Sequence, residues 1–162
     1  MKIEHLDRLI GEHPFFEGFR AEFLDLLAGC ARHVVYPAGD YIYRYGQEET
    51  NFYLIRHGAV ALEVQAPGAE PLVVETLTDN DILGWSWMVP PHRARFDARA
   101  RDLTRVISLD GACLRGKMAA DHELGFLLYQ RFVPVMADRL QAARLQMLDL
   151  YPTHNQKRSG AG

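Results

Sequence analysis

From His33 to Leu109 the chain is a succession of short β-favouring segments, each closed by glycine or proline. His33-Val34-Val35-Tyr36 runs into Pro37-Ala38-Gly39-Asp40, a turn signal. Tyr41 to Tyr45 alternates at period two and stops at Gly46. Asn51 to Ile55 and Val60 to Val64 read as strands joined by a hairpin-like turn at Arg56-His57-Gly58-Ala59. Pro67-Gly68 marks the next turn, Leu72 to Leu77 the next strand, and Ala98 to Leu109 further strand material around Val106 and Ile107. Strands this short, with so many turns and no helix between them, predict an antiparallel sandwich or barrel rather than a parallel α/β sheet.

Both ends have helical texture. Leu6, Leu9 and Ile10, then Phe23, Leu24 and Leu27, recur at helical spacing across residues 3–28. His13-Pro14 interrupts them, because the residue before proline is driven out of the α region; two short helices around a turn carrying Phe15 and Phe16 are expected. Residues 119–150 predict C-terminal helix, with acids near the start and Leu124, Leu127, Leu128 and Phe132 at helical spacing. Pro134 is expected to kink or split it. Met136, Leu140, Ala143, Met147 and Leu150 follow at steps of four and three, a seam suited to pairing with a second copy of the chain. Packing against the protein's own strands is the alternative. Residues 151–162 read as a disordered polar tail.

The composition narrows the function. At 162 residues, 48% apolar and 24% charged, the chain suits one globular domain over 1–150. Eighteen Lys and Arg against 21 Asp and Glu leave a net charge of −3, unlike a dedicated nucleic-acid binder. No apolar run reaches the length of a membrane span, and Met1-Lys2-Ile3-Glu4-His5 lacks the apolar stretch of a signal peptide, so a soluble, cytoplasmic protein is expected. Cys30 and Cys113 lie far apart with no second cysteine at metal-ligand spacing, and both read as reduced core residues.

The order of elements resembles the cyclic-nucleotide-binding domain family, which includes the sensory half of catabolite activator proteins and the regulatory domains of cyclic-nucleotide-dependent kinases and channels. The matching residues are Pro14-Phe15-Phe16 with Leu24 and Leu27, then Gly39, Ile42 and Gly46. The most specific stretch is Phe52-Tyr53-Leu54-Ile55-Arg56-His57-Gly58-Ala59-Val60, similar to the family's Phe-Tyr-x-Ile-x-x-Gly-x-Val core. Asp81-Ile82-Leu83-Gly84 resembles the start of the family's phosphate-binding cassette, with Asn80 in place of its first glycine. The resemblance spans about residues 10–150. It implies a mainly β domain with flanking helices: an antiparallel jelly-roll (double-stranded β-helix) barrel over 30–110, N-terminal helices over 3–28 and a long C-terminal helix.

It also implies a non-enzymatic sensor of a small anionic effector, cAMP or cGMP in the family. The effector would enter beside Gly84 to Arg95, and the terminal helices would shift and signal to a partner protein. The implied ligand-binding set is Leu83, Gly84, Trp85, Ser86, Trp87, Arg93, Arg95 and Arg144. The cassette itself departs from the family. Trp85-Ser86-Trp87-Met88-Val89-Pro90-Pro91 follows Gly84, so the family's ribose-binding glutamate is absent. For the family's phosphate-binding arginine, counting forward from Gly84 gives Arg95, whereas counting back from Ala100 gives Ala94. An arginine is needed there because a guanidinium fork matches phosphate oxygens in charge and geometry. Arg93, Arg95, Arg99, Arg101 and Arg105 form either an anion site or a solvated strand face. Trp85 and Trp87 either stack a flat ligand beside Ser86 or plug the pocket. Arg144 either covers a ligand, with Ala143 at the family's base-contacting hydroxyl position, or is an exposed helix residue.

Three other readings stand beside the sensor. A helix-turn-helix output would need far more than the eleven residues after Tyr151, so direct DNA binding is not expected. A cupin-like metalloenzyme needs clustered ligands, but the seven histidines are scattered and include no His-x-His pair; His57 and His92 are weak candidates for a haem ligand. A domain that kept the fold and lost the nucleotide would serve as a protein-interaction module.

Overall fold

The protein's structure, a computed structural model, describes residues 5–149 and divides into two compact units after His122. The first unit opens with α1 (Leu6–Glu12), a 3-10 turn (Pro14–Phe16) and α2 (Ala21–Ala28). His13 ends α1 in an extended conformation, and its ring accepts from the Phe15 amide at 3.3 Å, so the break before Pro14 is also the cap of the next turn. Eight strands follow: β1 (Ala31–Tyr36), β2 (Tyr41–Tyr43), β3 (Asn51–His57), β4 (Val60–Val64), β5 (Leu72–Leu77), β6 (Ile82–Leu83), β7 (Asp97–Ala100) and β8 (Thr104–Asp110). They form two four-stranded antiparallel sheets, ordered β1-β8-β3-β6 and β2-β7-β4-β5. This is the expected jelly-roll arrangement.

β3 is buried on both faces, which is why Phe52 to Ile55 reads as an unbroken apolar run. Tyr53 and Ile55 join Tyr43, Val60, Leu62, Leu77, Leu83, Ala94, Ala98 and Val106 in the barrel interior. Phe52 points the other way, with its ring 6.4 Å from Phe15 and 6.5 Å from Phe16, so the N-terminal helical segment covers this outer face. At the β3–β4 hairpin, Gly58 has φ +123°, and a Cβ there would lie 2.7 Å from the Thr104 Cα. Only glycine satisfies both demands.

Expectations are corrected at the start of the C-terminal helical region and at the cysteines, and of the two outcomes expected at Pro134 the split does not occur. The C-terminal helical region begins at Gly111, not near residue 119, with α3 (Gly111–Ala120). Asp110 caps α3 by accepting from the Ala112 amide at 2.9 Å and the Cys113 amide at 3.2 Å, a start hidden in sequence by the helix-averse glycine that follows it. Cys30 and Cys113 are not reduced: they form a disulfide, with Cα atoms 5.7 Å apart. The register of β1 on β8, which pairs Ala31 with Leu109, brings the two ends together across 83 residues of sequence. Closing a loop of that length stabilises a fold by about 4.5 kcal/mol in chain-entropy terms. Pro134, finally, does not split the last helix.

That helix, α4 (His122–Asp149), supplies the described part of the second unit and runs through Pro134 without interruption. Leu124, Leu128 and Phe132 are buried. Phe126, Tyr129, Val133, Leu140 and Met147 are each more than half exposed. Leu150 of the expected seam and the 151–162 tail lie outside the described residues.

Candidate functional site

The segment between β6 and β7 is where the family's cassette would lie. Leu83 sits opposite Tyr53 and is fully buried in the barrel interior. Gly84 turns the chain at φ +94°, and a Cβ there would approach the Asn51 carbonyl oxygen to 3.1 Å. One 3-10 turn follows, Ser86–Met88, far shorter than a helix whose N-terminus could hold an anion. Ser86 is buried, and its carbonyl oxygen lies 2.8 Å from His92 Nδ1.

The two indoles part company. Trp87 is completely buried and stacks on Phe52, with ring centroids 5.2 Å apart and planes 19° from parallel. Since Phe52 lies on the outer face of β3, Trp87 belongs to the layer outside the barrel. It neither lines nor plugs the interior. Trp85 is half-buried under the Arg95 guanidinium, 5.3 Å from its ring centroid, a cation–π contact at the surface.

Burial separates the residues that the two arginine counts reach. Ala94 is 3% exposed and packs in the barrel interior with Ala98, and Phe96 packs partly against them. Arg93 and Arg95 have the opposite parity, and both are exposed. Arg93 donates to the Gly46 carbonyl oxygen at 2.9 Å. Arg99 donates to the Gly39 carbonyl oxygen and lies over Tyr41, while Arg101 and Arg105 are exposed. The arginines form an outer face, and the inward position that counting back from Ala100 identifies is held by a methyl group. Arg144 is exposed on α4.

The buried ionisable side chains near this end of the barrel, Glu49 and Asp97, are acids. Glu49 is buried and accepts from the Asn51 amide at 2.9 Å and the Tyr53 hydroxyl at 3.2 Å. Its own amide donates to the His92 carbonyl oxygen, which ties it to the strand leading to Ala94. Burial raises the Glu49 pKa above the usual carboxyl value, against the lowering effect of those two hydrogen bonds. Burial, then the Glu49 charge, push the Tyr53 hydroxyl pKa far up, so it stays a donor. Asp97 is the second acid near this end. It receives the Tyr45 amide at 2.7 Å, Gln65 at 2.7 Å and Arg44 at 3.3 Å. Burial opposes its ionisation, but these bonds outweigh burial and hold its pKa below the ordinary value. Sequence reasoning missed both acids: Glu49 lies in a polar Gln-Glu-Glu-Thr run that reads as a solvated loop, and Asp97 among arginines reads as a counter-charge.

Among the described residues no cluster of His, Cys, Asp and Glu is arranged to hold a metal ion. His57 is paired loosely with Asp79 at 3.6 Å on the surface. No helix among them is long and apolar enough to cross a membrane.

A barrel of this topology, with its inter-sheet cassette and a following pair of helices, defines a regulatory ligand-binding class. The family model for the cyclic nucleotide-binding domain matches residues 33–121, and the chain belongs to that family. Three solved structures share the fold. A cyclic nucleotide-binding domain from Methylobacillus flagellatus has a TM-score of 0.75 at 17% identity, over 91% of this chain and 83% of its own. The catabolite activator protein of Thermus thermophilus has a TM-score of 0.67 at 23% identity, over 85% of this chain and 62% of its own. The regulatory subunit of a cAMP-independent protein kinase A from Trypanosoma brucei has a TM-score of 0.67 at 19% identity, over 91% of this chain and 51% of its own. No curated protein matches the chain in sequence.

Proposed function

We propose that this is a non-enzymatic regulatory domain that retains the family's barrel and has lost its cyclic-phosphate cradle. The observation that carries the reading is Ala94: the inward position opposite the cassette is a buried methyl group, and the flanking Arg93 and Arg95 are exposed. A buried cyclic phosphate needs a compensating cation and donors. Here the interior offers Tyr43, Tyr53, Leu83 and Ala94, with the Glu49 carboxyl beside them. Burying an anion next to Glu49 would cost its desolvation with no cation from that side chain to offset it. The trypanosome regulatory subunit, described as cAMP-independent, offers a precedent for the same fold working without that nucleotide.

The domain then acts through its surfaces. Phe126, Tyr129, Val133, Met136, Leu140, Ala143 and Met147 repeat at steps of three and four along one face of α4, and all but Met136 are exposed. A stripe with this period suits a left-handed pairing of two helices, so the functional form is a homodimer that presents the domain to a partner protein.

The test is a titration with cAMP and cGMP followed by the emission of Trp85 and Trp87, with sedimentation equilibrium on the same protein. No saturable emission change up to millimolar nucleotide, and a dimer that Leu140→Lys dissociates, is the expected result. Saturation in the micromolar range would overturn the loss of the cradle, and a monomeric wild-type protein would overturn the dimer.

A further inference from the structure

The Cys30–Cys113 disulfide is not sealed in the core. It forms part of the wall of an open cleft of about 450 Å³, whose other lining residues include Arg32, Asn51, Ser108 and Asp110. The cleft is open, its lining is largely polar, and both cysteines form part of its wall. Cys113 is half-buried, and Cys30 is 8% exposed. Asp110 is engaged in capping α3 through the Ala112 and Cys113 amides, while Arg32 extends, exposed, from the strand that begins beside Cys30.

What the disulfide holds is equally specific. α3 is fastened to the α2–β1 junction by the disulfide and by Lys117, whose ammonium donates to the Leu26 carbonyl oxygen at 2.8 Å. On its other side α3 is fastened to the cassette turn, where Arg115 donates to the Trp87 carbonyl oxygen, and to the start of β3, where the Gly111 amide donates to the Thr50 carbonyl oxygen at 2.7 Å. A Cβ on Gly111 would collide with Trp87 Cβ at 2.5 Å, so helix and indole are in direct contact. α3 therefore links the N-terminal helices to the cassette, and one covalent bond governs one end of that link.

We infer that Cys30–Cys113 is a reversible thiol–disulfide site, exchanging with a low-molecular-weight anionic thiol in the cleft and controlling how firmly α3 holds the cassette. This stands independently of whether a nucleotide binds. The thiolate of the incoming thiol attacks Sγ of the more accessible Cys113, forming a mixed disulfide and releasing the Cys30 thiolate into the cleft that Arg32 also lines. A second thiol attacks the external sulfur of the mixed disulfide and releases the Cys113 thiolate at the first turn of α3. Both thiolates take up protons. Two thiols have become one external disulfide, and the protein disulfide has gained two electrons and two protons. Arg32 is the residue that would select an anionic thiol over a neutral one.

The experiment uses the whole chain under native conditions, with free thiols counted by a chromogenic disulfide and tryptophan emission read in parallel. Glutathione and dithiothreitol are the probes. The oxidised protein should show no free thiol, and glutathione should release both thiols together with a shift in Trp87 emission. Arg32→Glu should slow the glutathione reaction by about fivefold, more at low salt, and leave the neutral dithiothreitol reaction unchanged. A Cys30→Ser, Cys113→Ser double variant should have the reduced protein's emission and ignore both probes; because the wild-type readings need no variant, failure of that chain to fold would not shield the inference. It is overturned if thiols appear only after denaturation, if they are already free in the air-oxidised protein, or if their release leaves the emission unchanged.

Discussion

Trp87 lies flat on Phe52, its indole wholly buried between the cassette turn and the outer face of β3. A residue that the sequence left either stacking a ligand or plugging the pocket is thus part of the packing on the outer face of β3. Truncating it should create a large cavity. Trp87→Ala is expected to cost about 3–5 kcal/mol, the range for a buried aromatic residue. Trp85→Ala, at a half-buried surface position, should cost less than about 1 kcal/mol. Urea unfolding of both variants checks this; equal losses would contradict it.

Gly111, at the first position of α3, packs against Thr50 and Trp87 with no room for a side chain. A Cβ there would lie 2.1 Å from the Thr50 carbonyl oxygen, whereas one at Gly116, further along the same helix, meets nothing within 4 Å. Gly111→Ala should destabilise by about 1–3 kcal/mol through overpacking. Gly116→Ala should stabilise by about 0.5–1 kcal/mol through helix propensity. The opposite signs on one helix separate crowding from propensity in a thermal melt.

Glu49 gives the fold a pH dependence of known sign. Burial raises its folded pKa above the ordinary carboxyl value. The protonated form is therefore the one the fold prefers. The stability this group contributes is complete below the unfolded value and is lost as pH rises through the folded one. Glu49→Gln keeps a hydrogen-bond acceptor for Asn51 and Tyr53 and removes the titration. The variant should unfold at higher urea than wild type at pH values above the folded pKa and lose that advantage in acid.

Asp97 acts in the other direction. Its folded pKa lies below the ordinary carboxyl value, because the Tyr45, Gln65 and Arg44 bonds outweigh burial. Its contribution is complete above the unfolded value and disappears as pH falls through the folded one. Asp97→Asn should therefore be destabilised at neutral pH and converge on wild type in strong acid. Urea midpoints across an acid series measure it.

The barrel was legible in the sequence because its signals are local. Gly58, held at φ +123° against Thr104, ends a run whose residues face two buried layers, and such a hairpin leaves a compact signature. What the sequence left open was the facing of the segment between Gly84 and Ala100. A strand reverses its faces with every one-residue shift, so a slip in the Trp- and Pro-rich loop exchanges Ala94 for Arg95 at the inward position. The disulfide was hidden for a different reason. Cys30 and Cys113 are brought together by the β1–β8 register, and 83 residues of separation carry no trace of it. α3 escaped because a glycine at its first position masked the Asp110 cap.

The most direct test of the lost cradle counts bound nucleotide instead of waiting for a conformational signal. Equilibrium dialysis of the protein against labelled cAMP, and separately cGMP, should leave equal nucleotide on both sides of the membrane for the wild-type chain and for Arg95→Ala alike. Stoichiometric retention by wild type in the micromolar range, abolished in Arg95→Ala, would show that an arginine from the outer face reaches a cyclic phosphate, and would contradict the account at its centre.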